Sequence, residues 1–124
     1  AIVRDGKVLC AKRGDKSRSL AGYWEFPGGK IELGETAQSA LIREMREECL
    51  CDIQVDEEIV TTTHEYDFAV IVLTTFFCTL LESSDEPILT EHSEFRWVSG
   101  DQLGSLIWAP ADREAVDLII QKLR

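Results

Sequence analysis

The chain has 124 residues, of which 44% are hydrophobic and 29% charged, and its formal net charge is −10. That length fills one core rather than two, so residues 1–124 are expected to form a single domain, and the composition excludes a disordered polyelectrolyte. The charge repels nucleic acid polymers and anionic membranes, so a polyanionic ligand needs local cations or a bound metal to approach.

The sequence opens on Ala1 rather than Met, inside a strand-like run, which reads as a natural chain that begins earlier. "AIVRDGKVLCAKR" is two short β-favouring runs around Asp5-Gly6, a dipeptide that tolerates positive φ and predicts a hairpin. A polar loop follows from Gly14 to Gly22, then Trp24-Glu25-Phe26 as a short strand and Pro27-Gly28-Gly29 as a breaker. Gly34-Glu35-Thr36 marks a helix start. From Ala37 to about Cys49 there is no proline or glycine, and the residues are good helix formers.

"DIQVDEEIVTTTHEYD" and "FAVIVLTTFFCTLLE" are β-rich, "SSDEP" turns, and "EFRWVS" is a further strand. Val116, Ile119, Ile120 and Leu123 have helical spacing and predict a terminal helix. The apolar stretch from Phe68 to Leu81 is interrupted by threonines and falls short of the roughly 20 residues a membrane helix needs, so it is expected to be a core strand. Cys10, Cys49, Cys51 and Cys78 show no paired zinc spacing and read as reduced core thiols, which favours a cytoplasmic setting. The fold class expected is α/β (α+β), a mixed sheet sandwiched between helices.

On the central helix, Ala37, Leu41, Ile42, Met45 and Cys49 share one arc, while Glu44, Glu47 and Glu48 share an adjoining one. Each like-charge pair at i, i+3 or i, i+4 costs a few tenths of a kcal/mol, and acids in the last turns oppose the helix dipole by a similar amount. Two readings are open: a solvated acidic face, or a cage of hard oxygens. A Pro-Gly-Gly turn can bring a backbone carbonyl close to the same face, and carbonyl plus carboxylates suit Mg²⁺.

The segment Gly29-x5-Glu35-x7-Arg43-Glu44-Met45-x-Glu47-Glu48 resembles the signature of the Nudix hydrolases, G-x5-E-x7-R-E-U-x-E-E-x-G-U, where U is a bulky aliphatic. It departs at its end, where Leu50 stands for the glycine and Cys51 for the last aliphatic. A leucine where the backbone wants a left-handed turn costs about 1 kcal/mol. The likeness is nearest to the MutT-like and CTP pyrophosphohydrolase members, and "LAGYWEFPGGKIE", "EHSEFRWVS" and "WAPAD" extend it over nearly the whole chain.

The resemblance implies the Nudix fold and a Mg²⁺-dependent pyrophosphohydrolase, with Mn²⁺ as the alternative cation, that cuts a nucleoside triphosphate to monophosphate and pyrophosphate. It implies that Glu44, Glu47 and Glu48, with the Gly28 or Gly29 carbonyl and Glu91, hold metal. It also implies that Arg43 and Glu35 orient those acids. Glu44 is the expected base, with Glu91 the runner-up. Metal ions would supply both the neutralisation of phosphoryl charge and the activated water that such a hydrolysis demands.

For the substrate, Arg13 matches a phosphate-contacting arginine and equally suits a solvated strand end. Asp112 lies where relatives read the base edge, and also where a helix cap belongs. Phe26 or Trp108 could stack on a base or fill core, and His64 is expected to pack locally. The sequence does not choose among oxidised guanine nucleotides such as 8-oxo-dGTP, cytosine nucleotides such as CTP or 5-methyl-dCTP, and a broad range. Tyr66, a short way past the box, carries the alternative of a dinucleoside polyphosphate hydrolase; a non-catalytic nucleotide sensor is a further alternative. Monomer and homodimer are both compatible with the sequence.

Overall fold

Asp5 (φ 53°) and Gly6 (φ 74°) form a two-residue turn between β1 (Val3–Arg4) and β2 (Lys7–Arg13), pairing Val3 with Val8 and Arg4 with Lys7. Positive φ at both central residues gives the twist that matches the strands, as expected for Asp-Gly. The structure is a computed structural model that describes residues 1–14, 20–88 and 91–123. Most of the polar loop expected at 14–22 therefore lies outside the described residues.

β2 is the organising strand. Its whole length pairs antiparallel with β6 (His92–Ser99). Its other edge is shared by β1 and β3 (Trp24–Glu25), the latter through Ala11 opposite Glu25 and Lys12 opposite Trp24. β4 (Ile53–Glu65) and β5 (Val70–Leu80) form a long antiparallel ribbon. A parallel bridge from Ile2 to Cys78, with the Cys78 amide donating to the Ala1 carbonyl at 2.8 Å, joins that ribbon to the sheet. Parallel and antiparallel contacts coexist, so the strand system is mixed, as expected.

Alternation along β2 explains the layers. Val8 and Cys10 point into a cluster with Val116 and Ile119 of α2 (Arg113–Leu123). Leu9 and Ala11 point the other way, into a cluster with Met45 and Cys49 of α1 (Ala37–Cys49). A strand covered on both faces must be apolar at every position, and "VLCA" is. The two helices thus flank the sheet, the α/β sandwich that was expected. All four cysteines are free and buried. No helix among the described residues is long and apolar enough to cross a membrane.

One expectation changes. β5 was expected to be a core strand throughout, but Val70 and Val72 are 61% and 66% exposed while Phe76 and Cys78 are buried. Val70 and Val72 thus lie on a face of the ribbon that no other layer of the described residues covers, while Phe76 and Cys78 lie on the sheet and α1. An apolar run reports strand character and not whether a neighbouring layer covers it.

Candidate functional site

α1 begins where its cap predicts. The Thr36 hydroxyl accepts from the Ser39 amide at 3.0 Å, and Ser39 Oγ accepts from the Thr36 amide at 3.0 Å, a reciprocal capping box. It ends at Leu50, which adopts the left-handed backbone (φ 52°, ψ 36°) that the sequence implied and that glycine would take without strain. Ala40, Met45 and Cys49 are buried on one face, which leaves Arg43, Glu44, Glu47 and Glu48 along the edge facing the preceding loop.

Arg43 gathers that edge. Its Nε donates to Glu35 Oε2 at 2.7 Å and its Nη2 to Glu35 Oε1 at 3.0 Å, a two-point clamp. Nη2 also donates to the Lys30 carbonyl at 3.0 Å. Nη1 donates to Glu44 Oε1 and Glu47 Oε2, both at 3.1 Å. The other end of the clamp is fixed by the loop itself, since the Glu32 amide donates to Glu35 Oε1 at 2.9 Å. The Arg43 hydrogen bonds hold the Glu35 carboxyl below its ordinary range, and Glu35 in turn holds the guanidinium charged.

Gly29 lies directly against the Glu44 carboxylate, so a side chain there would collide with it. Gly28 is looser; a Cβ there would sit 3.7 Å from Leu41 Cδ1. Glu48, one turn along from Glu44, feels the charge of Glu44 and of Glu91. Loss of water first, then Glu44 and Glu91, push its carboxyl up to about 7, with His92 pulling the other way. Glu44 and Glu91 thus both act on Glu48. Glu47 is more exposed and turned to Arg43.

No three carboxylate, imidazole or thiol side chains among the described residues are gathered tightly enough to hold an ion. Arg43 takes an oxygen of Glu44 and one of Glu47. The donor chemistry still fits a hard cation: oxygen ligands only, a net negative cluster, and a glycine that leaves room for backbone approach.

A second group lies at β3. Glu25 is held from two sides, by Arg13 Nη1 at 3.0 Å and by His92 Nε2 at 2.9 Å. Burial raises the Glu25 carboxyl, but the His92 bond and the Arg13 charge outweigh it and hold the group low. The Phe26 amide faces Asp112 Oδ1 at 3.5 Å. Asp112 is 5% exposed, and burial, then the Glu25 charge, push its carboxyl up to about 7. The Phe26 ring is buried 4.7 Å from Trp108, whose Nε1 donates to the Leu103 carbonyl at 2.8 Å, so both rings sit in the core. His64 packs on Tyr66, ring centres 4.4 Å apart.

Sequence reasoning missed Glu25 and His92. Their signal was faint: Glu25 alternates with the inward Trp24 and Phe26, and His92 follows a residue already singled out.

The family model for the NUDIX domain matches residues 1–118. The chain is 35% identical over 111 residues to a CTP pyrophosphohydrolase of Escherichia coli (strain K12), covering 90% of this chain and 80% of that one. It is 38% identical over 76 residues to an 8-oxo-dGTP diphosphatase of Proteus vulgaris, covering 61% of this chain and 67% of that one. Its fold is similar to the solution structure of a MutT protein, described as a Nudix hydrolase, from methicillin-resistant Staphylococcus aureus 252. That pair shares 50% identity and a TM-score of 0.78, over 98% of this chain and 91% of the other.

Proposed function

This chain belongs to the NUDIX family and is a phosphoanhydride hydrolase, and from that premise we propose that it cleaves the α–β anhydride bond of a nucleoside triphosphate, consuming one water and releasing the monophosphate and pyrophosphate. The observation that carries the reading is the Arg43 clamp, which binds the loop to the helix and holds a Glu44 oxygen while Glu44 lies against Gly29.

Relatives of this kind use a divalent cation. Here Glu44, Glu48 and Glu91, with Glu47 and the Gly28 or Gly29 carbonyl, would hold Mg²⁺, with Mn²⁺ as the alternative. When bound, the cation neutralises phosphoryl charge and lowers the pKa of water. Glu44 orients the attacking water and accepts its proton. Arg43 and Glu35 keep the Glu44 carboxylate aimed at Gly29. Arg13, held by Glu25, is placed for the phosphates, and Asp112 with the Phe26 amide forms the base end.

The substrate range we propose is oxidised guanine or cytosine nucleoside triphosphates, because a buried carboxyl beside a backbone amide offers both an acceptor and a donor to a base edge. The four buried free thiols support a cytoplasmic setting. Tyr66, which carried the dinucleoside polyphosphate alternative, is occupied in a hydrogen bond to the Ala111 amide, and this favours the mononucleotide reading.

The test is pyrophosphate release from canonical, oxidised and methylated nucleoside triphosphates with Mg²⁺, beside Glu44→Gln and a chelated control. One base class should turn over, and both controls should lose activity. Turnover that survives Glu44→Gln would sink the assignment.

A further inference from the structure

We propose that Tyr66 is a positioning residue for base selection: its hydroxyl fixes the Pro110–Asp112 turn and, through it, the Asp112 carboxyl. This rests on reading Asp112 as the base contact.

The turn has no cap of its own. Ala109, at its N-cap, offers no side-chain acceptor; Pro110 carries no amide hydrogen and the Asp112 amide donates to the Ala109 carbonyl at 2.9 Å, which leaves the Ala111 amide to be satisfied from outside the turn. The Tyr66 hydroxyl supplies the missing acceptor from another element, receiving the Ala111 amide at 2.9 Å. One residue on, Asp112 is buried and meets the Phe26 amide. A hydrogen bond to the neighbouring peptide therefore governs where that carboxyl points.

The phenol is itself held. The Tyr66 amide donates to the Ala69 carbonyl at 2.8 Å and closes the tip of the β4–β5 ribbon. Its ring stacks on Phe68, centres 5.1 Å apart and planes 11° apart, and leans on His64. Phenylalanine at 66 keeps that stacking and deletes only the acceptor, so Tyr66→Phe isolates the bond.

The experiment is calorimetric binding of non-hydrolysable α,β-imido triphosphates of several bases to the unaltered chain, Tyr66→Phe, Asp112→Ala and the double variant. Hydrogen exchange of the Ala111 amide and triphosphate turnover by the unaltered chain are measured alongside. Tyr66→Phe should weaken the preferred base about tenfold, the scale of one lost buried hydrogen bond, and leave the others within about twofold. The Ala111 amide should exchange faster, and the substitution should add nothing in the Asp112→Ala background.

Equal weakening of every base, an unchanged preference, or the same loss without Asp112 would overturn the proposal, as would an unaltered chain that binds no base selectively. Selective binding that depends on Tyr66 without any triphosphate turnover would uphold it while overturning the hydrolase reading. Turnover whose base preference ignores Tyr66 would do the reverse.

Discussion

Arg43 and Glu35 meet at two points, 2.7 and 3.0 Å, across the seven residues that separate them in the signature, so the loop before α1 is fastened to the helix's own arginine. A planar fork makes that geometry and a point charge does not. Arg43→Lys therefore keeps the charge and loses the clamp. We expect kcat to fall about a hundredfold, the scale of a small misplacement in a reacting site, with KM for the nucleotide much less changed. Steady-state kinetics decide it; a variant within twofold of the unaltered kcat would show that charge alone suffices.

Leu50 closes α1 in the left-handed region while 53% exposed. Its side chain has little burial to lose, and its backbone conformation is one that glycine adopts without penalty. Leu50→Gly should stabilise the chain by about 0.5–1 kcal/mol, net of the extra freedom glycine gives the unfolded state. Thermal unfolding should show a Tm a few degrees higher. An unchanged or lower Tm would mean that Leu50 packs to more effect than its exposure suggests.

Asp112 makes stability depend on pH in a stated direction. Its carboxyl rises from 3.8 to about 7 in the folded chain, so the folded state holds the proton more tightly. The stability that goes with this is complete below pH 3.8 and is lost as pH climbs through about 7. The whole interval is worth up to about 4 kcal/mol, reduced by any relaxation around the charge. Asp112→Asn should remove that slope, so urea unfolding of the two chains from pH 4 to 8 should diverge as pH rises. Parallel curves across that window would contradict the assignment.

What the sequence made legible was local. Asp5-Gly6 specified its hairpin, and Gly34-Glu35-Thr36 with the uninterrupted run to about Cys49 specified α1, because caps and turns are decided within a few positions. The strand expected at 94–99 begins two residues earlier, at His92, and the terminal helix expected from the spacing of Val116 to Leu123 is preceded by a 3₁₀ turn over Pro110–Asp112. The site's wider partnerships were not legible. Glu25 with His92, Phe26 with Asp112 and Tyr66 with Ala111 join residues 67, 86 and 45 positions apart. Such pairs are fixed by how the sheet closes, and neither periodicity nor propensity encodes them.

Phe26, whose amide meets Asp112, and Gly29, which abuts Glu44, are separated by only three peptide links. Fully stretched, that is at most about 10 Å of chain. That length caps the span between the Phe26 amide and the Gly29 backbone, and Pro27 restricts the chain between them. The stretch works as a caliper. Under the function proposed above, a ligand that touches both jaws meets this upper limit on length before any of its functional groups is read.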